Sequence, residues 1–259
     1  MKIIVCVKQV PNTNEVRLDQ KTGTLIREGV PSIINPDDKA GLEAALKLKD
    51  GQGAHVTVLS MGPPQADAAL REALAMGADE AILLSDRPFG GADTWATSST
   101  LAAAIKKLDY DLIITGRQAI DGDTAQVGPQ IAEHLGIPNI SYAEEIRVEG
   151  GYVTVKRQYE DRYHIIRAKL PCLLTALSEL GAPRYMTPAG IFDAWKKEIP
   201  VWKRPDLTID DSNIGLNGSP TRVKKSFTKA VRGKGTVMTL DPEESVNWLL
   251  ERLSEKFII

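Results

Sequence analysis

Thr115-Gly116-Arg117-Gln118-Ala119-Ile120-Asp121-Gly122-Asp123-Thr124-Ala125-Gln126-Val127-Gly128 follows the apolar run Leu112-Ile113-Ile114 and leads into Val127, Ile131 and Leu135, which are spaced as one helix face. The stretch therefore reads as a loop carrying the chain from a buried strand into a helix, the place where α/β folds bind nucleotides. Its glycines allow close backbone approach, and the first-turn N–H groups of the following helix suit a phosphate. Asp121 and Asp123 would repel phosphate, so they are expected on ribose hydroxyls or backbone N–H groups, with phosphate resting on amides, Thr124 and Gln126. The Asp121-Gly122-Asp123 pair also fits Mg2+ held with a nucleotide, or a plain turn and helix cap; the residues leave both open. Pro129 lacks an N–H and belongs in the first helical turn, so the helix is expected to start near Thr124 to Gln126.

Upstream, the same alternation repeats. Lys2 to Val7 is a continuous β-branched run of a strand covered on both faces, ended by Gln9-Val10-Pro11. Asn35-Pro36-Asp37-Asp38 starts a helix, with Asn as cap, Pro at the first position and acids in the first turn. His55 to Ser60 is a second strand, turned by Met61-Gly62-Pro63-Pro64 into a helix that ends at Gly77. Glu80 to Ser85 is a third strand, and Arg87 to Thr94 a glycine-containing loop, a second candidate ligand wall, entering a helix from Thr94 to Lys107. This pattern predicts a doubly wound, mostly parallel sheet of Rossmann-like, nucleotide-binding type with right-handed crossovers. The loops after Val7, before Pro36, at Met61 and at Gly116 are expected to converge beyond the strands' carboxyl ends. Leu18 to Leu25 reads as a small hairpin over the site or as a surface excursion.

After Asn139 the signals turn antiparallel: Glu145 to Val148, a Gly150-Gly151 turn, Tyr152 to Tyr159, and Tyr163 to Leu177 interrupted by Pro171, taken together as strands added to the sheet's edge. From Pro200 to Phe227 the chain has little periodicity and reads as an irregular arm; a helix capped by Asp241 follows, with Val246, Leu249, Leu250, Leu253 and Phe257 on one side. The expected division is an α/β nucleotide-binding domain over 1–199 and an extended arm with a docking helix over 200–259.

The formal net charge of -2 in 259 residues provides no electrostatic drive toward nucleic acid or an anionic membrane, so neither is an expected partner. Cys6 and Cys172 sit in apolar runs with no nearby thiol and read as buried small hydrophobes; His55, His134 and His164 lack ligand-type neighbours, and no metal site is expected. The N-terminus is too short and too soon polar for a signal peptide, so a cytoplasmic location is expected. No triad, Walker lysine loop or GxGxxG stands in the chain, and none of its side chains reads as catalytic. Lys8, Arg117 and Arg184 are single cations near loops, more in keeping with surface charge than with ligand contact.

Val5-Cys6-Val7-Lys8-Gln9-Val10-Pro11, Asn35 to Asp38, Ser60-Met61-Gly62-Pro63, Gly116 to Gln126, Lys169 to Thr175, Pro183-Arg184-Tyr185 and Gly218 to Phe227 together resemble the β subunit of electron transfer flavoproteins, over nearly the whole length. The resemblance implies a heterodimer with a flavoprotein α subunit and a nucleotide held in this chain: AMP in respiratory members, a second FAD in electron-bifurcating members of anaerobes. In the latter, FAD takes a hydride from NADH and splits the electrons between ferredoxin or flavodoxin and the α-subunit FAD. Asp121 to Gly128, and Gly90-Gly91-Ala92-Asp93-Thr94 leading to Thr97-Ser98, resemble the bifurcating type, so FAD is favoured. Carried over by position, Cys6, Asn35, Pro36, Asp37, Asp38, Met61, Gly116, Arg117, Gln118, Ala119, Ile120, Asp121, Gly122, Asp123, Thr124, Ala125, Gln126 and Val127 line the nucleotide; Thr94 and Thr97 are added for the flavin's pyrophosphate or ribityl region. Two places depart from the family: Glu160 to His164 puts bulky and basic residues where an acid, glycines and a glutamate are usual, and Pro188 stands where respiratory members carry a leucine that docks acyl-CoA dehydrogenases. The dehydrogenase partner is therefore an acyl-CoA dehydrogenase or another flavin enzyme, such as a lactate-oxidising one. A stand-alone ATP-binding α/β domain remains the alternative of another class.

Overall fold

The computed structural model describes residues 1–12, 31–224 and 235–259. The segment from Leu18 to Leu25 lies outside them. In chain order the first half comprises β1 (Lys2–Cys6), β2 (Gln9–Pro11), β3 (Ser32–Ile34), α1 (Pro36–Gln52), β4 (His55–Met61), α2 (Asp67–Met76), β5 (Glu80–Leu84), α3 (Thr94–Ile105), β6 (Leu112–Gly116) and α4 (Val127–Leu135). The second half adds β7 (Asn139–Glu149), β8 (Tyr152–Gln158), β9 (Tyr163–Lys169), β10 (Cys172–Ala176), α5 (Pro188–Lys196), β11 (Val201–Trp202) and α6 (Pro242–Glu255).

One nine-stranded sheet runs β11-β5-β4-β1-β6-β10-β7-β8-β9. Every pair from β11 to β7 is parallel, and β8 and β9 continue it antiparallel. This is the doubly wound, mostly parallel α/β architecture with an antiparallel edge. Side chains alternate along each strand, so the sheet has two cores. Ile3, Val5, Val56, Val58 and Ile114 pack with Leu42, Leu46 and Leu70 of α1 and α2. Ile4, Cys6, Leu59, Ile113 and Leu173 pack on the other face with Leu101 and Ile105 of α3 and Ile131 of α4. Gly41 lets α1 lie close to the sheet, since a Cβ there would stand 2.8 Å from Ile114 Cγ2 and 3.2 Å from Ala176 Cβ.

Three details differ from the sequence reading. Cys172 to Ala176 is no edge strand: β10 lies between β6 and β7, parallel to both, with all five residues buried. Its uninterrupted apolar run is the pattern of a strand covered on both faces. Residues 188–196 form α5, whose start is marked by Thr187 accepting from Gly190 N and by Pro188. The segment after Pro200 is ordered by packing: Val201–Trp202 pairs with Leu83–Leu84, and Leu207 and Ile214 are buried.

By packing, Met1–Lys224 is one compact unit and Lys225–Ile259 a second. In the second, Asp241 accepts from Glu244 N at 2.9 Å to cap α6. Among the described residues, no helix is long and apolar enough to cross a membrane.

Candidate functional site

The chain winds from β1 through β4 to β5, then returns to place β6 on the other side of β1. The reversal between β1 and β6 is the point where loops leave for opposite faces, so a crevice opens beyond Cys6 and Gly116. The first turn of α1 closes this crevice from one face, and α3 and α4 approach it from the other.

Asn35 is fully buried and has the cap position of α1, yet its side chain makes no capping bond. Its Nδ2 donates to Gln118 O at 2.8 Å, its Oδ1 accepts from Ile120 N at 3.1 Å, and its own N–H donates to Lys8 O at 2.9 Å. One residue thus ties both crevice loops to α1. Asn35→Ala removes both side-chain bonds, each worth about 1 kcal/mol, and is expected to lower stability by about 2 kcal/mol in chemical denaturation.

Asp38 lies one turn on. Its Oδ2 accepts from Lys8 N at 2.8 Å and its Oδ1 from Gly116 N at 2.9 Å. Burial pushes its carboxyl up to about 7, against the pull of these amides and Asn35. Gly116 has no room for a side chain, because a Cβ would overlap Asp38 Oδ1 and lie 2.8 Å from Asp38 N. Asp37 faces Arg117, with Oδ2 to Nε at 3.6 Å. Burial raises the Asp37 carboxyl, opposed by Arg117 and by the amides of Gln118 and Ser178. Both acids that the family resemblance sets against the nucleotide therefore have their oxygens turned to backbone and Arg117. Pro36 is exposed at the helix start.

The loop itself is held from within. Asp121, with a side chain only 7% exposed, pairs with Lys8 Nζ at 2.6 Å, and Asp123 accepts from Gln118 Nε2 at 2.9 Å. The N–H groups of Gly122 and Asp123 both donate to Ala119 O. Asp123 (φ 50°) and Ala125 (φ 52°) adopt left-handed backbone. For alanine this costs about 1 kcal/mol, strain of the kind that collects at binding loops. Gly122, Asp123, Thr124 and Gln126 are exposed, and a Cβ on Gly122 meets nothing within 4 Å.

At the far end of the loop, α4 begins at Val127 with Gln126 as its cap residue, one residue beyond the expected start near Thr124 to Gln126. Gly128 allows that start to sit on the strand ends, because a Cβ there would stand 2.5 Å from Thr115 Oγ1 and 2.9 Å from Thr175 Cγ2. The N–H groups of Val127 and Gly128 belong to the unpaired donors of a helix start. Thr94 Oγ1 donates to Gln126 Oε1 at 2.8 Å, joining the start of α3 to the loop. Thr97 lies one turn into α3, on the same side by spacing. Cys6 and Met61 end neighbouring strands and pack into or against the core beneath α3 and α4. Burial pushes the Cys6 thiol up to about 12, so it stays a neutral thiol.

Contacts thus join Asn35, Asp37 and Asp38 to the loop from Gly116 to Ile120, and Thr94 to Gln126, while Cys6 and Met61 lie at the ends of the neighbouring strands β1 and β4. Of the three cations, Lys8 and Arg117 are there as ion-pair partners of Asp121 and Asp37, and Arg184 is elsewhere, bonded to Glu43 and Asp50 of α1. Asp93 stands in the Gly90 to Thr94 stretch that resembles the bifurcating type, without a role of its own among the sequence-derived site residues. It caps α3 by accepting from Ala96 N at 3.0 Å, and it accepts from Thr221 N at 3.0 Å and Thr221 Oγ1 at 2.7 Å. The signal was present in the Asp93-Thr94 helix start. Among the described residues, no group of three His, Cys, Asp or Glu side chains could hold a metal ion.

A family model described as the electron transfer flavoprotein domain matches residues 22–207. The chain is 60% identical over 259 residues to "Electron transfer flavoprotein subunit beta" of Clostridium acetobutylicum, each protein being covered in full. It is 56% identical over 262 residues to "Caffeyl-CoA reductase-Etf complex subunit CarD" of Acetobacterium woodii, again covering each in full. With "Acryloyl-CoA reductase electron transfer subunit gamma" of Anaerotignum propionicum it shares 48% identity over 267 residues and the full length of both.

Proposed function

The chain belongs to the electron transfer flavoprotein family, as a member of its β-subunit type, and from that premise we propose that it binds FAD in the β1/β6 crevice and works as the electron-splitting half of a heterodimer with a flavoprotein α subunit. The observation that carries FAD over AMP is the Thr94 to Gln126 hydrogen bond. It joins the start of α3, with Thr94 and Thr97, to Gln126 and the loop before α4 in one polar wall, which favours a ligand longer than a mononucleotide. The residues present fit such a group: open space over Gly122, small Cys6 and half-buried Met61 as an apolar floor, and helix-start amides for the pyrophosphate.

When bound, FAD supplies hydride acceptance from NADH and release of single electrons, to ferredoxin or flavodoxin and to the α-subunit flavin. The chain's residues hold and shape. The amides of Val127 and Gly128 would hold the FAD phosphate, with Thr124 and Gln126 beside them. Lys8 cancels the charge of Asp121, which removes the repulsion expected between that acid and phosphate. Because both Asp121 oxygens take bonds from Lys8, the Mg2+–ATP alternative loses the acid pair that motivated it. The relatives named for caffeyl-CoA and acryloyl-CoA reductases support an acyl-CoA dehydrogenase-type enzyme as the terminal partner. Pro188 opens α5 where the resemblance places a docking leucine; exposed Tyr185, Phe192 and Trp195 offer the apolar surface in its stead.

Gly122→Trp tests the placement: with nothing near its Cβ the variant folds with unchanged Tm, while its side chain fills the ligand's space, and flavin retention falls at least about tenfold. Full flavin retention in a folded Gly122→Trp complex removes the crevice as the site. NADH oxidation by the heterodimer that requires a low-potential and a high-potential acceptor together supports the splitting role. Oxidation running equally well with either acceptor alone defeats it.

A further inference from the structure

We propose that the outward face of the β7-β8-β9 meander carries an oxyanion site, Arg147-Thr154-Arg167, which takes the phosphate group of a small soluble molecule. It shares no residue with the β1/β6 crevice and does not rest on what the crevice binds. In the strand register Arg147 stands opposite Thr154, and Thr154 opposite Arg167, so the three form one row across three strands. Successive side chains on a strand point to opposite faces. Val148, Val153 and Val155 point into the core, which turns the row outward, with both arginines exposed and Thr154 half-buried. Neighbouring strands lie about 4.8 Å apart, so about 10 Å separates the two arginine backbones, with Thr154 between them. Two guanidinium forks on either side of a hydroxyl can close on a single anion across that span.

The row is concave, ordered and uncompensated in charge. With Glu149 and Gly150, the three side chains line a cavity of about 430 Å3 at the Gly150-Gly151 turn. The Arg167 guanidinium lies on the Tyr152 ring, with Cζ 4.0 Å from the centroid, which lowers the cost of ordering it on a ligand. Further along β7, Glu144 and Glu145 both pair with Lys156, at 2.7 and 3.2 Å. Among the described residues no ion pair includes Arg147 or Arg167. Glu149 stands opposite Tyr152, whose other neighbour is Lys169, and it weakens the field of the row without pairing with either arginine. A carboxylate satisfies one fork, whereas a phosphate group has acceptor oxygens for both forks and the Thr154 hydroxyl.

The test is NMR titration of the full-length chain with inorganic phosphate at constant ionic strength, following the backbone amides of Arg147, Thr154 and Arg167. The three signals are expected to move together and to saturate with a dissociation constant on the order of 1 mM. Arg147→Gln and Arg167→Gln, both at exposed positions, are each expected to weaken binding at least about tenfold. Glu149→Gln is expected to tighten it about threefold. Gly122→Trp, which fills the crevice, is expected to leave the response of this row unchanged; loss of the response in that variant would assign it to the crevice and overturn the proposal. Absence of a saturable shift overturns it as well, as does a response that chloride reproduces or one that survives both arginine substitutions at full strength. Acetate binding as tightly as phosphate overturns the phosphate assignment and marks the row as a contact for protein carboxylates.

Discussion

Gly116→Ala is expected to lower the thermal midpoint by about 10 °C and to reduce nucleotide affinity on the order of 100-fold. The added methyl would occupy the position of Asp38 Oδ1 and press on Asp38 N and Asp37 Cβ. None of these is free to swing away: two belong to the first turn of α1, and the third, Asp38 Oδ1, is fixed by the bond it accepts from Gly116 N and by the bond its sister Oδ2 accepts from Lys8 N. Relief requires α1 to move away from the ends of β1 and β6, at a cost of about 3 kcal/mol. The same movement breaks the Asp38 and Asn35 bonds that set the loops, which is why binding falls further than stability alone would dictate. Gly122→Ala, six residues on in the same loop, is the internal comparison. Its Cβ meets nothing, and its stability is expected to stay within about 0.5 kcal/mol of wild type. Equal destabilisation by the two substitutions would contradict the packing described here.

Arg184→Ala carries the other large effect. Arg184 Nε and Nη2 grip the two Glu43 oxygens at 2.9 and 3.1 Å, Nη2 reaches Asp50 at 2.8 Å, and the backbone N–H of Arg184 adds a bond to Glu43 at 3.0 Å. The two acids hold the guanidinium in its charged form. The Glu43 side chain is 6% exposed, against 31% for Arg184, so the acid is the partner left stranded when the guanidinium goes. Removing one member of such a pair costs about 3 kcal/mol or more. Arg184→Lys keeps the charge but loses the fork and is expected to fall between. Glu43→Gln with Arg184→Met removes both charges and is expected to recover most of the loss, giving a coupling of at least about 1 kcal/mol in a double-mutant cycle by chemical denaturation. Additive losses would mean the pair is screened. The clamp also fixes the root of the segment that presents Tyr185, Phe192 and Trp195, so electron transfer to the dehydrogenase is expected to fall while flavin content does not.

The apolar runs and helix starts are local signals, and the doubly wound sheet followed from them, as did the meeting of the loops after Val7, before Pro36 and at Gly116. The partners of polar side chains are not local. Lys8 and Asp121 are 113 residues apart, and Asp38 and Gly116 are 78. Hence Asn35 read as a cap although its amide serves the loop, and Asp37 and Asp38 read as ligand contacts although their oxygens face backbone and Arg117. The position of β10 inside the sheet was missed for a related reason: strand order is decided by crossovers, whereas an apolar run such as Cys172 to Ala176 reveals only that both faces are covered.

The central claim is the identity of the nucleotide in the crevice. Purifying the heterodimer, denaturing it and identifying the released nucleotides measures this directly. Two FAD per heterodimer, falling to one when this chain carries Gly122→Trp, is the predicted result. One FAD with one AMP, or a second FAD that survives Gly122→Trp in a folded complex, would contradict it.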